Sequence, residues 1–74
     1  MHAEVLKGQL IYVDTEEGQI QIMDEVDHQV TALNIDEDTK LPANHSWERI
    51  VGDDIEAVVI NGKTRSVYLL TEQM

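Results

Sequence analysis

Hydrophobic and polar residues alternate with a period close to two in five short segments of the chain. Such alternation is typical of β-strands that bury one face and expose the other. The pattern predicts strands at residues 5–13, 19–23, 29–35, 55–60 and 65–70. The second strand is the most regular, with Ile20 and Ile22 predicted to face the core.

The strongest local signal is the dipeptide Asn61-Gly62, which lies between the last two predicted strands. A two-residue type I′ turn needs positive φ at both central positions, and Asn followed by Gly tolerates this best. Residues 55–60 and 65–70 are therefore predicted to pair as a hairpin. In the turn at residues 14–18, Gly18 is predicted to adopt the left-handed conformation.

The first predicted strand is long and carries apolar residues on both faces, as expected for a strand that pairs with two neighbours in a small barrel. Gly8 within it predicts a bulge or a sharp coil. Simple alternation places Val5, Ile11 and Val13 on one face, and Leu6, Leu10 and Tyr12 on the other.

Residues 36–49 form the longest segment without a strand pattern. Asn44 or Ser46 is predicted to cap a short helical turn that continues to Ile50. Trp47, the only tryptophan of the chain, lies in this segment. It is predicted to be partly buried and to plug the barrel, since a single large aromatic residue there more often covers the core than contacts a partner.

Five short strands with one long connection between the third and the fourth predict an all-β fold. The expected architecture is a five-stranded OB-like barrel with a short helical turn or loop between strands 3 and 4. An SH3-like barrel is the alternative. Residues 1–74 are predicted to form one domain, with residues 71–74 as a tail.

Turn residues and alternating apolar residues recur along the chain at Lys7-Gly8, Val13-Asp14, residues 18–22, residues 51–57 and Asn61-Gly62. In this pattern the chain resembles small OB-like barrel modules of uncharacterised bacterial families. It also resembles, more distantly, the molybdate-binding Mop modules. The resemblance implies the barrel fold but no oxyanion ligand, because the added hairpin and the acidity of the chain both disfavour one.

The chain has fifteen Asp and Glu residues against five Lys and Arg residues, which gives a net charge of −10. Binding to nucleic acid needs a basic surface, and binding to anionic membranes is favoured by one. We therefore expect neither nucleic acid nor a membrane as partner. A protein partner that meets an exposed strand edge or the acidic loops is expected, or a second copy of the chain.

Residues with catalytic chemistry are not arranged in a known pattern. Cysteine is absent, and neither Ser46 nor Ser66 lies in a nucleophile motif. His2, His28 and His45 are not spaced as paired metal ligands. The chain is therefore not expected to be an enzyme, and no cofactor is expected.

Two sets of residues are candidates for a binding site. Asp36, Asp38, Asp53 and Asp54 could supply oxygen ligands to a divalent cation, although they do not follow the EF-hand pattern. The alternative is that these aspartates close solvated turns. Tyr12, Trp47 and Tyr68 are the candidates for contact with a ligand or partner.

The two tyrosines lie on strands that could be neighbours. They either pack against each other across the strands or form a ligand-facing aromatic pair.

The main functional hypothesis is a small, acidic, non-catalytic interaction module that engages a protein partner or self-associates. The alternative is a barrel that binds a divalent cation or a small ligand through its acidic loops. The N-terminal residues lack the pattern of a signal peptide, and no apolar run approaches the roughly 20 residues that cross a bilayer. A cytoplasmic location is expected, with which the absence of cysteine agrees.

Overall fold

All five predicted strands are present in the computed structural model, which describes residues 2–70. The elements in chain order are β1 (Ala3–Asp14), β2 (Gln19–Asp24), β3 (Val30–Asn34), the helix α1 (Trp47–Ile50), β4 (Asp54–Ile60) and β5 (Lys63–Leu69). The strand boundaries differ from the predicted ones by at most two residues. The tail predicted at residues 71–74 lies outside the described residues.

The strands close into a barrel in the order β1-β2-β3-β5-β4. β1 makes closure possible, because its first half pairs with β4 and its second half pairs with β2. These pairings and those of β2 with β3 and β4 with β5 are antiparallel, whereas β3 and β5 are parallel. The predicted all-β, five-stranded OB-like architecture, with a short helix between β3 and β4, is confirmed.

The interior of the barrel is filled by aliphatic side chains from the five strands and α1. Ile50 of α1 is fully buried, and half-buried Trp47 packs against the same cluster. The predicted partial burial of Trp47 is therefore confirmed, but the deeper anchor from α1 is Ile50. No helix among residues 2–70 is long and apolar enough to cross a membrane.

The second half of β1 departs from simple alternation. The register between β1 and β2 shifts between Leu10 and Tyr12, so that Ile11 is an extra residue in β1. After this bulge Val13 packs against the core together with Leu6, and Tyr12 points outward with 43% of its surface exposed. The predicted faces were wrong beyond Leu10, because one inserted residue reverses the side of every residue that follows.

Gly8 lies where β1 pairs with both of its neighbours, opposite Asp24 of β2 and Ile55 of β4. A Cβ atom at this position would lie 2.8 Å from the carbonyl carbon of Met23 and would clash with its oxygen. The glycine therefore permits close approach of β1 and β2. The bulge predicted at Gly8 occurs three residues later, at Ile11.

The hairpin between β4 and β5 has the predicted two-residue turn. Asn61 and Gly62 have φ angles of 52° and 81°, as a type I′ turn requires. A second bulge lies within the hairpin, where Val58 pairs with Ser66 and Val59 pairs with Thr64. The predicted pairing of the last two strands is confirmed.

Replacing Gly62 by valine is expected to lower the free energy of unfolding by about 1–2 kcal/mol, because a β-branched residue is strained at positive φ. Urea denaturation measures this loss. Tyr68→Val is the control, since it places valine in the same hairpin at an exposed strand position away from the bulge. An equal loss of unfolding free energy in both variants would show that strain in the turn is not the cause of the destabilisation.

Candidate functional site

Two acidic segments meet at one end of the barrel. The backbone N–H of Ile35 donates a 2.9 Å hydrogen bond to the carbonyl of Gly18, which places residues 36–38 beside the turn at residues 14–18. We call these two segments the acidic end. Its carboxylates belong to Asp14, Glu16, Glu17, Asp36, Glu37 and Asp38.

The turn at residues 14–18 is shaped by its first carboxylate. Asp14 Oδ1 accepts hydrogen bonds from the backbone N–H groups of Glu16 and Glu17, at 3.1 and 3.0 Å. Gly18 then takes the left-handed conformation, with φ of 70°, as predicted. This turn therefore directs the two glutamates into solvent, where their side chains stay exposed.

The segment at residues 36–38 is held by a buried threonine. Thr39 Oγ1 accepts a hydrogen bond from the N–H of Asp36 and donates one of 2.8 Å to the carbonyl of Thr64. Asp36 Oδ1 in turn accepts a 2.8 Å hydrogen bond from the N–H of Asp38. These bonds attach the acidic segment to β5.

A pocket of about 220 Å³ opens between the two segments and α1. Its lining consists of Thr15, Ile35, Asp36, Glu37 and Trp47. The indole and the isoleucine supply an apolar wall, and the two carboxylates supply negative charge. Such a site suits a small cation, since an indole face and carboxylates both attract positive charge.

Asp36 forms an ion pair with Lys63, the first residue of β5. The hydrogen bond from the Lys63 ammonium lowers the pKa of Asp36 below its ordinary value, with smaller contributions from the N–H of Asp38 and the charge of Arg65. Asp36 is therefore ionised at neutral pH. Lys63 is the cation that the structure places directly against this carboxylate.

Because Lys63 lowers the folded-state pKa of Asp36, the ion pair stabilises the fold above the unfolded-state pKa. This contribution is lost as the pH falls through the folded-state pKa. Lys63→Met is expected to raise the pKa of Asp36 toward its ordinary value, which an NMR titration of the carboxyl carbon measures. Lys7→Met is the control, since Lys7 lies 3.8 Å from Glu56 instead. An equal change in both variants would assign the effect to net charge.

The four aspartates predicted as metal ligands lie in two separate places. Asp36 and Asp38 belong to the acidic end, whereas Asp53 and Asp54 lie where β4 begins. Lys63 faces the other end of β4, six residues further along, or roughly 20 Å. The structure therefore does not bring the four together, and within residues 2–70 no three His, Cys, Asp or Glu side chains are grouped to hold a metal ion.

The aromatic candidates are also separated. Tyr12 of β1 donates a 3.2 Å hydrogen bond to Asp14 Oδ2, and this bond raises the pKa of the phenol. Tyr68 lies on β5 opposite Glu56 of β4. Because β4 separates β1 from β5, the predicted contact between the two tyrosines was wrong. Tyr12 reaches the acidic end and Trp47 lines its pocket, whereas Tyr68 lies on the outer surface of the β4–β5 hairpin.

Sequence reasoning did not select the turn at residues 14–18 as part of a site. Its three carboxylates within four residues were the available signal. Their proximity to Glu37 and Trp47 depends on the pairing of β2 with β3, which brings Gly18 to Ile35. That contact joins parts of the chain whose local patterns are unrelated.

The architecture is that of the small OB-like barrels. No protein-family model matches the chain, and no curated protein sequence matches it. The resemblance to Mop modules therefore gains no support.

Structures of CusF share the barrel. One, with silver(I), superimposes with a TM-score of 0.70 at 16% identity, over 93% of this chain and 99% of CusF. A structure of Escherichia coli CusF with copper(II), in which a tryptophan is replaced by alanine, has a TM-score of 0.59 at 16% identity and covers 90% of each chain. A further silver(I) structure of the E. coli protein has a TM-score of 0.60 at 15% identity, over 92% of this chain and 91% of that one. At these identities the likeness shows the fold.

Proposed function

We propose that this chain is a non-catalytic barrel that binds a cation at its acidic end. The observation that carries the proposal is the convergence of residues 14–18 and 36–38 on one pocket. Six carboxylates lie on these two segments, and Lys63 is ion-paired with one of them. The local excess of negative charge therefore favours a positively charged ligand.

The chemistry of the pocket favours a hard cation. Carboxylate oxygens are the ligands that Ca²⁺ and Mg²⁺ prefer, and Mg²⁺ is commonly bound through one or two carboxylates while it keeps several waters. Asp36 and Glu37 provide such a pair on the pocket wall. A pocket of about 220 Å³ is large enough for an ion that retains part of its hydration shell.

The CusF structures support metal binding as a use of this fold, since they contain silver(I) and copper(II). The donor groups of the acidic end differ from those that silver prefers, because soft ions favour sulfur ligands. Cysteine is absent, and the methionine of the described part of the chain, Met23, lies toward the end of β2 that is remote from Gly18. We therefore propose a divalent cation of the hard class.

The experiment is a titration with CaCl₂ and MgCl₂ followed by the fluorescence of Trp47, the only tryptophan. Binding in the pocket is expected to change the emission of wild-type protein. Glu37→Gln is expected to weaken binding severalfold, because it removes one of the two carboxylates of the wall. Glu25→Gln, which removes the same charge at the turn between β2 and β3, is the matched control and is expected to bind as wild type.

Lys63→Met is expected to strengthen binding, because it removes the ammonium group that competes for Asp36. Parallel titrations with AgNO₃ and CuSO₄ compare the cations found in CusF. The proposal is wrong if neither Ca²⁺ nor Mg²⁺ binds, or if Glu37→Gln and Glu25→Gln bind equally well. Tighter binding of silver than of Ca²⁺ would contradict the choice of a hard cation.

Engagement of a protein partner, self-association and the cytoplasmic location remain predictions from the sequence. Cation binding and partner binding are compatible, since the acidic end leaves most of the barrel surface available.

A further inference from the structure

β3 is paired unequally on its two sides. Toward β2 it forms five residue pairs along its full length. Toward β5 it forms the pair Asn34–Lys63, at its last residue. Because β3 and β5 are parallel and β5 begins at Lys63, residues 30–33 extend past the start of β5. We call residues 30–33 the open edge.

Hydrogen bonds at both ends of the β2–β3 ladder show which backbone groups face the open side. Gly18 and Ile35 form one bonded pair at 2.9 Å, and the N–H of Asp24 donates to Gln29 at 2.8 Å. Bonded and non-bonded pairs alternate in an antiparallel ladder. The groups directed away from β2 therefore belong to Val30, Ala32 and Asn34, of which Asn34 reaches β5.

The open edge thus presents two N–H groups and two C=O groups, from Val30 and Ala32. The exposure of Thr31 agrees with this geometry. Thr31 pairs with buried Ile22 and lies on the same face of β3 as buried Leu33. Its own side chain is nevertheless exposed. No strand of the described chain covers the edge at this position, and Val30 is 54% exposed.

We propose that the open edge accepts an extended strand from a partner protein, and that this strand carries lysine or arginine residues. Unpaired strand edges bind extended peptides through backbone hydrogen bonds. Residues 30–34 carry no charge, but the turn that precedes them contains Asp24, Glu25 and Asp27. At the other end of the edge, Asp36 is already ion-paired with Lys63. The end of a docked strand that lies beside residues 24–27 would therefore meet carboxylates, and basic side chains complement them.

A second copy of the chain fits this edge less well. Each copy has a net charge of −10, so that two copies repel each other. An uncharged segment would gain the backbone bonds without charge complementarity. The edge is also short, which suits a reversible contact with a strand supplied by another protein.

Amide hydrogen exchange measured by NMR tests both parts of the proposal. In the free protein, the amides of Val30 and Ala32 are expected to exchange much faster than those of Thr31 and Leu33, which bond to β2. The probe is a synthetic peptide of alternating valine and threonine with two lysines at each end. It is expected to protect Val30 and Ala32 about tenfold or more. The same peptide with glutamates in place of the lysines is expected to give no protection.

Two proline variants distinguish the N–H groups that face outward from those that bond to β2. Ala32→Pro removes an outward N–H, as edge strands tolerate, and is expected to keep the fold and lose peptide binding. Thr31→Pro removes an N–H that bonds to Ile22 and is expected to destabilise the barrel far more.

Slow amide exchange of Val30 and Ala32 in the free monomer would contradict the proposal that residues 30–33 form an unpaired edge, whatever the variants show. Equal protection of these amides by the lysine peptide and the glutamate peptide would contradict the proposal that the partner strand is basic. Sedimentation equilibrium that shows a dimer, lost in Ala32→Pro, would assign the edge to a second copy instead.

Discussion

Replacing Gly8 by alanine is expected to lower the free energy of unfolding by about 3 kcal/mol, a large part of the stability of a 74-residue domain. The added Cβ would lie 2.8 Å from the carbonyl carbon of Met23 and 2.9 Å from Ile22 Cγ2. Because the first of these is backbone, β2 itself must move. Gly8 also faces Ile55, so the β1–β4 ladder is disturbed as well.

Urea denaturation of Gly8→Ala and Gly52→Ala distinguishes the cost of the steric clash from the cost of replacing a glycine. Gly52 has φ of 94°, and a Cβ atom there would meet no atom within 4 Å. Gly52→Ala therefore reports backbone strain alone, with an expected loss of about 1 kcal/mol. If Gly8→Ala proves no less stable than Gly52→Ala, close approach of β1 and β2 does not limit this position.

Ile50→Ala is expected to cost about 3–4 kcal/mol, because it removes a fully buried side chain from α1 and leaves a cavity in the core. Its neighbour Val51 is 44% exposed, so Val51→Ala is the matched control and is expected to cost less than about 1 kcal/mol. Thermal denaturation measures both.

The fluorescence emission of Trp47 reports on the position of α1 in these two variants. Because Trp47 and Ile50 lie on the same turn of helix, a red shift in folded Ile50→Ala would show that α1 has moved away from the barrel. Trp47→Ala itself is expected to cost less than Ile50→Ala, since the indole is only half-buried. Equal stability of Ile50→Ala and Val51→Ala would contradict the role of Ile50 as the anchor of α1.

Features that depend on a few adjacent residues could be predicted from the sequence. Asn61-Gly62 specifies its turn through the φ angles it tolerates, and the alternation at residues 19–23 specifies which side of β2 is buried. The position of the short helix followed from the polar residues before Trp47, although the Ser46 side chain forms no capping hydrogen bond.

Features that depend on pairing between distant segments could not be predicted. A bulge at Ile11 leaves no composition signal, yet it decides which side of β1 Tyr12 occupies. The separation of Asp36 from Asp53 follows from their places near opposite ends of β4, and the pocket follows from the contact between Gly18 and Ile35. Each requires the strand order, which a single sequence specifies only through the summed packing of the core.

The narrow junction between β3 and β5 has a consequence for how the barrel assembles and opens. The β1-β2-β3 meander and the β4-β5 hairpin can each form from contacts between consecutive strands, which makes them the rapid steps of folding. The meander and the hairpin are then joined by the seven residue pairs of β1 and β4, while β3 and β5 add the pair Asn34–Lys63, beside the bridge of Lys40 to Ser66. We expect this junction to close last and to break first, so that the lowest-energy opening of the native protein unrolls the barrel into a flat sheet with strand order β3-β2-β1-β4-β5.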